Sequence, residues 1–177
     1  MVKTRTLELL EVTPESWAPF GRIPSDEGTE HDNADLEFLL GDGHANFIGH
    51  DNAEIRFTDR GGALCELLNR HDTHTQTLMP VDVEAYVVVA PAAVDFSEPE
   101  HFETVRAFRL PPLAVVHLTR GTWHWGPYPR HAERVRLFNI QGRGYANDNG
   151  IAWLTRDHDV VYEVVRSDRY RSDAAST

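Results

Sequence analysis

A single cysteine, Cys65, stands among the 177 residues, so no disulfide can form within the chain. Stability has to come from a packed core, and a chain of this length can bury roughly 70% of its unfolded surface. No apolar run approaches the ~20 residues needed to cross a bilayer. Behind Met1-Val2-Lys3-Thr4-Arg5 there is no apolar stretch of the secretory kind. The expectation is a cytoplasmic protein. Positive charge is also scarce: 17 Lys and Arg against 28 Asp and Glu leave a formal net charge of −11, which opposes the polyanionic field of nucleic acid. Membrane and nucleic acid are thus excluded as partners. Internal repeats and low-complexity linkers are missing as well, which reads as one domain over residues 1–165 followed by a loose polar tail, 166–177.

What the chain does have is many short apolar runs. Residues 5–12 alternate as an edge strand does, and Thr13-Pro14-Glu15-Ser16 then supplies an N-cap, a first-turn proline and a carboxylate facing the helix dipole. A short helix ending near Gly21 follows from that. Residues 22–42 are acidic and turn-rich, an exposed loop with a helical turn over 35–40. Runs at 45–48, 54–57, 64–68, 75–79, 85–90, 104–110, 113–118 and 134–140 come next, with a late edge strand at 160–165. Gly61-Gly62, Pro80-Val81-Asp82, Pro111-Pro112, Gly126-Pro127 and Gly142-Arg143-Gly144 separate them. Such punctuation predicts an all-β antiparallel barrel or sandwich with one or two short helices rather than βαβ units. Gly142-Arg143-Gly144 lacks the spacing of a phosphate loop and is a turn. Asp157-His158-Asp159 reads as a charged surface loop.

Ten histidines need sorting. His31, His44, His50, His101, His131 and His158 have polar, turn-like neighbours and read as surface residues. His71 lies between the apolar run 63–68 and the alternating run 75–79, and His124 follows the strand-like 113–118. Both therefore sit at strand boundaries of one sheet system, where a barrel presents ligands or acid and base groups to its mouth. The competing reading is that these two are also surface or hydrogen-bonded core residues. Trp125 and Tyr128, beside His124, read as core or dimer packing, and Trp123 as a pocket wall.

The placement of Asn69, His71 and Gln76 resembles the first ligand set of a cupin-type double-stranded β-helix, an antiparallel β-barrel, and His124 takes the place of that fold's second-motif histidine. In the standard pattern the first set reads His-x-His followed by Glu. Neutral amides at 69 and 76 would hold a divalent transition ion more weakly than imidazole and carboxylate do. The candidate metal ligands are His71, Gln76 and His124, joined by His74 if a bulge or loop turns it inward from the opposite face of the strand.

Four blocks carry a closer resemblance: 13–21 with its Trp-Ala-Pro-Phe-Gly ending, Arg70-His71 with Gln76 and Pro80, Val87-Val88-Val89-Ala90-Pro91, and Arg120-Gly121-Thr122-Trp123-His124. In the same order and at comparable spacing over about residues 5–155, they resemble the ureidoglycolate lyase family. That resemblance implies a compact barrel, usually a homodimer, that cleaves ureidoglycolate to glyoxylate and urea in allantoin and purine breakdown. It implies His71 and His124 as catalytic residues, since an imidazole titrates near neutrality. Asn69, Arg70, Gln76 and Trp123 are the expected substrate-binding residues, although a strand neighbour of His71 such as Arg70 should point the other way. The chain departs from the family pattern at Asn69, usually acidic, at Asp72, where proline is common, at His74, which replaces a small residue, and at Thr119, where a histidine is usual. These departures leave the substrate open to another small hydroxy, amino or keto acid, and two alternatives stand beside the lyase: a metal-dependent cupin oxygenase or isomerase acting on another small acid, and a non-catalytic small-molecule-binding cupin. The apolar run Val87-Val88-Val89 implies burial on both faces, and a second subunit is expected to cover one of them, with Trp125 or Tyr128 as its anchor.

Overall fold

Alternating burial along β12 (Arg134–Gly142) shows how the sheets are built. Val135, Leu137, Asn139 and Gln141 are buried while Arg134 and Arg136 face solvent, the period of two that a strand imposes. The computed structural model describes residues 1–24 and 36–166. His31 and the acidic Asp26-Glu27-Gly28 of the expected loop lie outside these, as does the expected tail beyond Arg166. The other strands, in chain order, are β1 (Lys3–Glu11), β2 (Gly21–Arg22), β3 (Gly43–Asp51), β4 (Arg56–Phe57), β5 (Ala63–Cys65), β6 (Leu68–Arg70), β7 (Gln76–Pro80), β8 (Ala85–Ala90), β9 (Arg106–Leu110), β10 (Val116–Leu118), β11 (Trp123–Pro129), β13 (Gly150–Ala152) and β14 (Val160–Val165).

They form a nine-stranded sheet, β13-β6-β11-β8-β9-β1-β14-β5-β4, and a five-stranded sheet, β2-β10-β7-β12-β3. From β6 to β13 the chain shuttles between the two, with β6, β8, β9, β11 and β13 in the larger sheet and β7, β10 and β12 in the smaller. That shuttling winds a double-stranded β-helix, so the expected all-β, cupin-type barrel is the fold observed. Two short helices accompany it, α1 (Pro14–Trp17) and α2 (Leu154–His158). No helix among the described residues is long and apolar enough to cross a membrane.

Every residue of β8 is buried. Ala85, Val87 and Val89 face a core between the sheets with Leu78, Leu118 and Leu137. Tyr86, Val88 and Ala90 face a second core with Trp123, Trp125 and Phe102. The chain thus covers both faces itself, and Trp125 packs against Tyr86 and Tyr128. The expectation that a second subunit must cover Val87-Val88-Val89 is corrected accordingly.

Several other expectations change. β1 and β14 are interior strands: β1 runs parallel to β14 on one side and to β9 on the other, and β14 also pairs with β5. The strand β11 was hidden by Gly126-Pro127, read above as a turn. The peptide between them is cis, and the register against β8 shifts between Trp125 and Tyr128, so the strand absorbs the pair as an irregularity. His124 is therefore inside a strand. The first helix stops at Trp17, short of Gly21, although the Thr13–Ser16 capping box starts it as expected. No helical turn forms over 36–40. Instead Leu39 N–H donates to Thr75 Oγ1 at 3.1 Å and Thr75 N–H donates to the Leu39 carbonyl at 2.8 Å. Asp157 and His158 close α2 rather than a loop, and His158 packs edge-on against Phe102.

The N-terminal segment is locked to the small sheet at two points. Trp17, fully buried, donates its indole N–H to the His117 carbonyl at 3.1 Å. Gly21 pairs with Leu118, and a Cβ there would lie 1.8 Å from the His117 carbonyl oxygen. Gly21→Ala should therefore cost about 2 kcal/mol or more, whereas Gly144→Ala, whose Cβ would meet nothing within 4 Å, should stay within about 0.5 kcal/mol. Thermal melts of the two variants check this, and equal melting temperatures would contradict it.

Candidate active site

Pairing register decides which side chains enter the barrel. His124 lies opposite Val89 on β8 and opposite Asn69 on β6, and directly opposed residues share a face. His124 and Asn69 thus look into the barrel. Trp123 and Arg70, one position away on their strands, look outward. The Arg70 guanidinium lies 4.6 Å over the Trp123 ring and 3.1 Å from Asp72, and Trp123 donates its indole N–H to the Val94 carbonyl. The structure does not bring Arg70 and Trp123 to the histidines.

It does bring His71, His74, Gln76 and His124 together. His71 and His74 stack with centroids 4.5 Å apart, and His71 lies 5.3 Å from His124. His74 reaches this position because residues 71–75 leave the strand conformation, which frees it from the strand's alternation. Asp148 fixes that loop. Its carboxylate accepts from the Asp72 and Thr73 N–H groups at 3.0 and 2.8 Å and from the Thr73 hydroxyl, and lies 3.3 Å from His74 Nδ1. Its backbone carbonyl accepts from His71 Nδ1 at 2.7 Å. His124 Nδ1 donates to the Thr122 carbonyl at 3.2 Å. Carbonyl and carboxylate oxygens only accept, so the proton of each neutral ring is on Nδ1 and each Nε2 keeps its lone pair. His74 Nε2 is buried with no partner among the described residues.

Gln76 is held the same way. Its amide N–H groups donate to Asn139 Oδ1 at 2.9 Å and Gln141 Oε1 at 3.1 Å, while Asn139 donates to Asn46 Oδ1. Gln76 Oε1 is left buried and unpaired. Gly142 ends β12 where a Cβ would come within 3.0 Å of the His74 ring.

Burial pushes His124 down to about 4, helped by neighbouring His71 and opposed by the Thr122 carbonyl. Burial and His71 also lower His74, against the pull of Asp148. At neutral pH His74 and His124 are therefore uncharged bases. Such imidazole nitrogens, with an amide oxygen, suit a divalent transition ion, and the two buried unpaired atoms, His74 Nε2 and Gln76 Oε1, are lone-pair donors of the kind such an ion takes. Asp148, His71 and His74 also have potential ligand atoms within 4.8 Å of one another. The Asp148 carboxylate is already occupied by donors, so it orients the rings instead.

Asp148, Asn139 and Gln141 were not singled out in the sequence. For the two amides a signal existed: they continue the inward face of Val135 and Leu137 along β12, and a polar residue on a buried face needs a partner. For Asp148 there was none, because it meets His71 from 77 positions away.

Residues 54–158 match the sequence model of the ureidoglycolate lyase family. The ureidoglycolate lyase of Stutzerimonas stutzeri (strain A1501) is 25% identical over 173 residues, covering 90% of this chain and 96% of that one. Among solved structures, an iron(II) HppE–substrate complex matches 75% of this chain with a TM-score of 0.37 and 12% identity. Oxalate decarboxylase from Bacillus subtilis matches 73% with a TM-score of 0.35 and 16% identity. The matched regions span 60% and 35% of those two proteins.

The His124 shift sets a pH dependence of stability. Its ring titrates near about 4 when folded and near ~6.5 when unfolded. Above ~6.5 neither state holds the proton, so stability is complete there. As pH falls from ~6.5, the unfolded chain binds a proton that the folded chain refuses, and stability declines. The loss from this ring reaches about 3 kcal/mol near pH 4, below which it grows no further. His74 acts in the same direction. Urea midpoints measured between about pH 7 and about pH 4.5 should fall for the parent chain and fall less for His124→Gln. Equal slopes for both would remove His124 from this effect.

Proposed function

The chain belongs to the ureidoglycolate lyase family, and we propose that it cleaves ureidoglycolate, or a close hydroxy-acid analogue, to glyoxylate and urea. The observation that carries this reading is the gathering of the His71, His74 and His124 rings with Gln76 around one crevice, where His74 Nε2 and Gln76 Oε1 are buried without a partner among the described residues. Ureidoglycolate bears a hydroxyl and a ureido nitrogen on one carbon. Cleavage requires the hydroxyl proton to be removed as the carbon–oxygen double bond forms and the carbon–nitrogen bond breaks, its electron pair leaving with the ureido nitrogen. That nitrogen then takes a proton. His124, neutral and buried, can accept the hydroxyl proton at Nε2 and return it to the departing nitrogen, so none is consumed. His71 Nε2 can orient the hydroxyl. Gln76 Oε1 and the inward Asn69 offer partners for the ureido N–H groups. A divalent transition ion held by the Nε2 atoms of His71, His74 and His124 and by Gln76 Oε1 would occupy those same lone pairs, and would supply Lewis-acid polarisation of a substrate oxygen in place of proton transfer at His124.

His74 and Thr119, both departures from the family pattern, line the same crevice as His71 and His124. This favours a shifted substrate preference over a change of reaction class. Purified protein should release glyoxylate and urea from ureidoglycolate, with kcat/KM below the ~10⁴ M⁻¹s⁻¹ at the lower end of ordinary enzymes. His124→Ala should lower kcat about 10²- to 10⁴-fold with an unchanged circular dichroism spectrum. Oxygen uptake with bound iron and no glyoxylate would support the oxygenase alternative instead, and ligand binding without turnover the non-catalytic one.

The working form in this reading is a cytoplasmic homodimer, as the family resemblance implies. Apolar surface for it exists on the outer face of β3 and β12. Phe47 is 55% exposed there, edge-on to Phe138 and beneath the Arg136 guanidinium. Light scattering should give about twice the 20.1 kDa of one chain, reduced to one chain by Phe47→Glu. A parent mass of one chain would sink the dimer.

A further inference from the structure

The crevice between the histidines has no room for a body the size of water, so a substrate has to sit beside it. A cleft of about 570 Å³ lies next to it, within the usual range for small-ligand sites, and Thr119 lines both spaces. Its polar walls are Arg22, Arg120, His117, Thr75 and Glu37.

The charges of this cleft can be assigned. Arg22 lies opposite His117 in the β2–β10 pairing and shares its face. The His117 ring contacts Thr77 Oγ1 through Nδ1 at 2.8 Å and the Glu37 carbonyl through Nε2 at 3.2 Å. The carbonyl can only accept, so Nε2 carries the proton and Nδ1 accepts from the Thr77 hydroxyl. Burial holds the His117 pKa below its ordinary value, against the pull of the Glu37 carbonyl, so at neutral pH the ring is uncharged. Arg22 has an interaction partner of its own, so the cation this cleft offers to a ligand is Arg120.

Arg120 is tied by its backbone to the histidine crevice. Gly121, in the left-handed region at φ 77°, donates its N–H to the His71 carbonyl at 2.7 Å, and Thr122 N–H donates to the Thr119 carbonyl at 3.2 Å. Thr119 N–H and the Thr122 hydroxyl both donate to the Phe20 carbonyl. The turn that presents Arg120 is thus fixed to the residue beside the reacting rings, while among the described residues the Arg120 guanidinium has neither hydrogen bond nor ion pair.

We propose that this cleft binds the carboxylate of the substrate, with Arg120 gripping it, so that the hydroxyl-bearing carbon points past Thr119 toward the histidines. A planar guanidinium can donate two parallel hydrogen bonds to a carboxylate, which fixes direction as well as affinity. The proposal deepens the reading of the cluster as the cleavage site and rests on it.

Two measurements on the full chain test it. Calorimetric titration compares glycolate with glycolamide, its uncharged isostere, on the parent, Arg120→Ala and Arg120→Lys. Steady-state kinetics on ureidoglycolate are run on the same proteins. Glycolate should bind the parent, lose about tenfold to a hundredfold in affinity in Arg120→Ala, and recover part of it in Arg120→Lys, with no such pattern for glycolamide. KM should rise by a similar factor in Arg120→Ala with kcat nearly unchanged. Arginine-dependent glycolate binding without turnover by the parent would overturn the lyase reading and leave the subsite standing. Turnover by the parent with glycolate affinity and KM insensitive to Arg120, or with no glycolate binding at all, would overturn the subsite. A fall in kcat alone would do the same.

Discussion

Burial of β8 on both faces is the constraint on which the rest of the molecule depends. A strand walled by two cores forces its partner to alternate between them, and that partner is β11. His124 is sent to the inner face with Val89, and Trp123 and Trp125 to the outer face with Ala90 and Val88. The same parity sends Asn69 inward and leaves Arg70 on Trp123. Chemistry and packing are thus separated by a single residue step.

Within the inner face, polar satisfaction is selective. Asp148 and the Thr122 carbonyl take the Nδ1 protons, and Asn139 and Gln141 take the Gln76 donors. What remains without partners among the described residues is His74 Nε2 and Gln76 Oε1, on the walls of one crevice. Each buried unpaired polar atom costs about 1–3 kcal/mol, a cost a bound ion or substrate relieves. Burial keeps His124 and His74 uncharged at neutral pH, which maintains those lone pairs. The arrangement keeps those lone pairs available and is poorly suited to hold charge of its own.

Reading the chain residue by residue gave much of this. The all-β barrel was legible because apolar runs of strand length recur between turn residues, and the capped start of α1 because Thr13-Pro14-Glu15-Ser16 states its own hydrogen bonds. The crowding of His71 and His124 followed from their places beside such runs. β11 was not legible, since Gly126-Pro127 carries a turn signal that pairing with β8 overrides. Nor was the inward turn of His74, which depends on where the strand stops, nor the outward aim of Trp123.

The sequence by itself determined local conformation, the supply of imidazoles and amides, and the excess of acid that opposes a polyanion's field. These depend on neighbours in the chain or on totals. The tertiary structure alone decided that Asp148 would orient His71 and His74, that Asn139 and Gln141 would aim Gln76, that β8 would need no second subunit to cover it, and that Arg120 would face a cleft while Arg70 faces a tryptophan. Each of these turns on strand register or on contacts between distant segments, and a shift of one residue in register would exchange the two faces without altering any local preference.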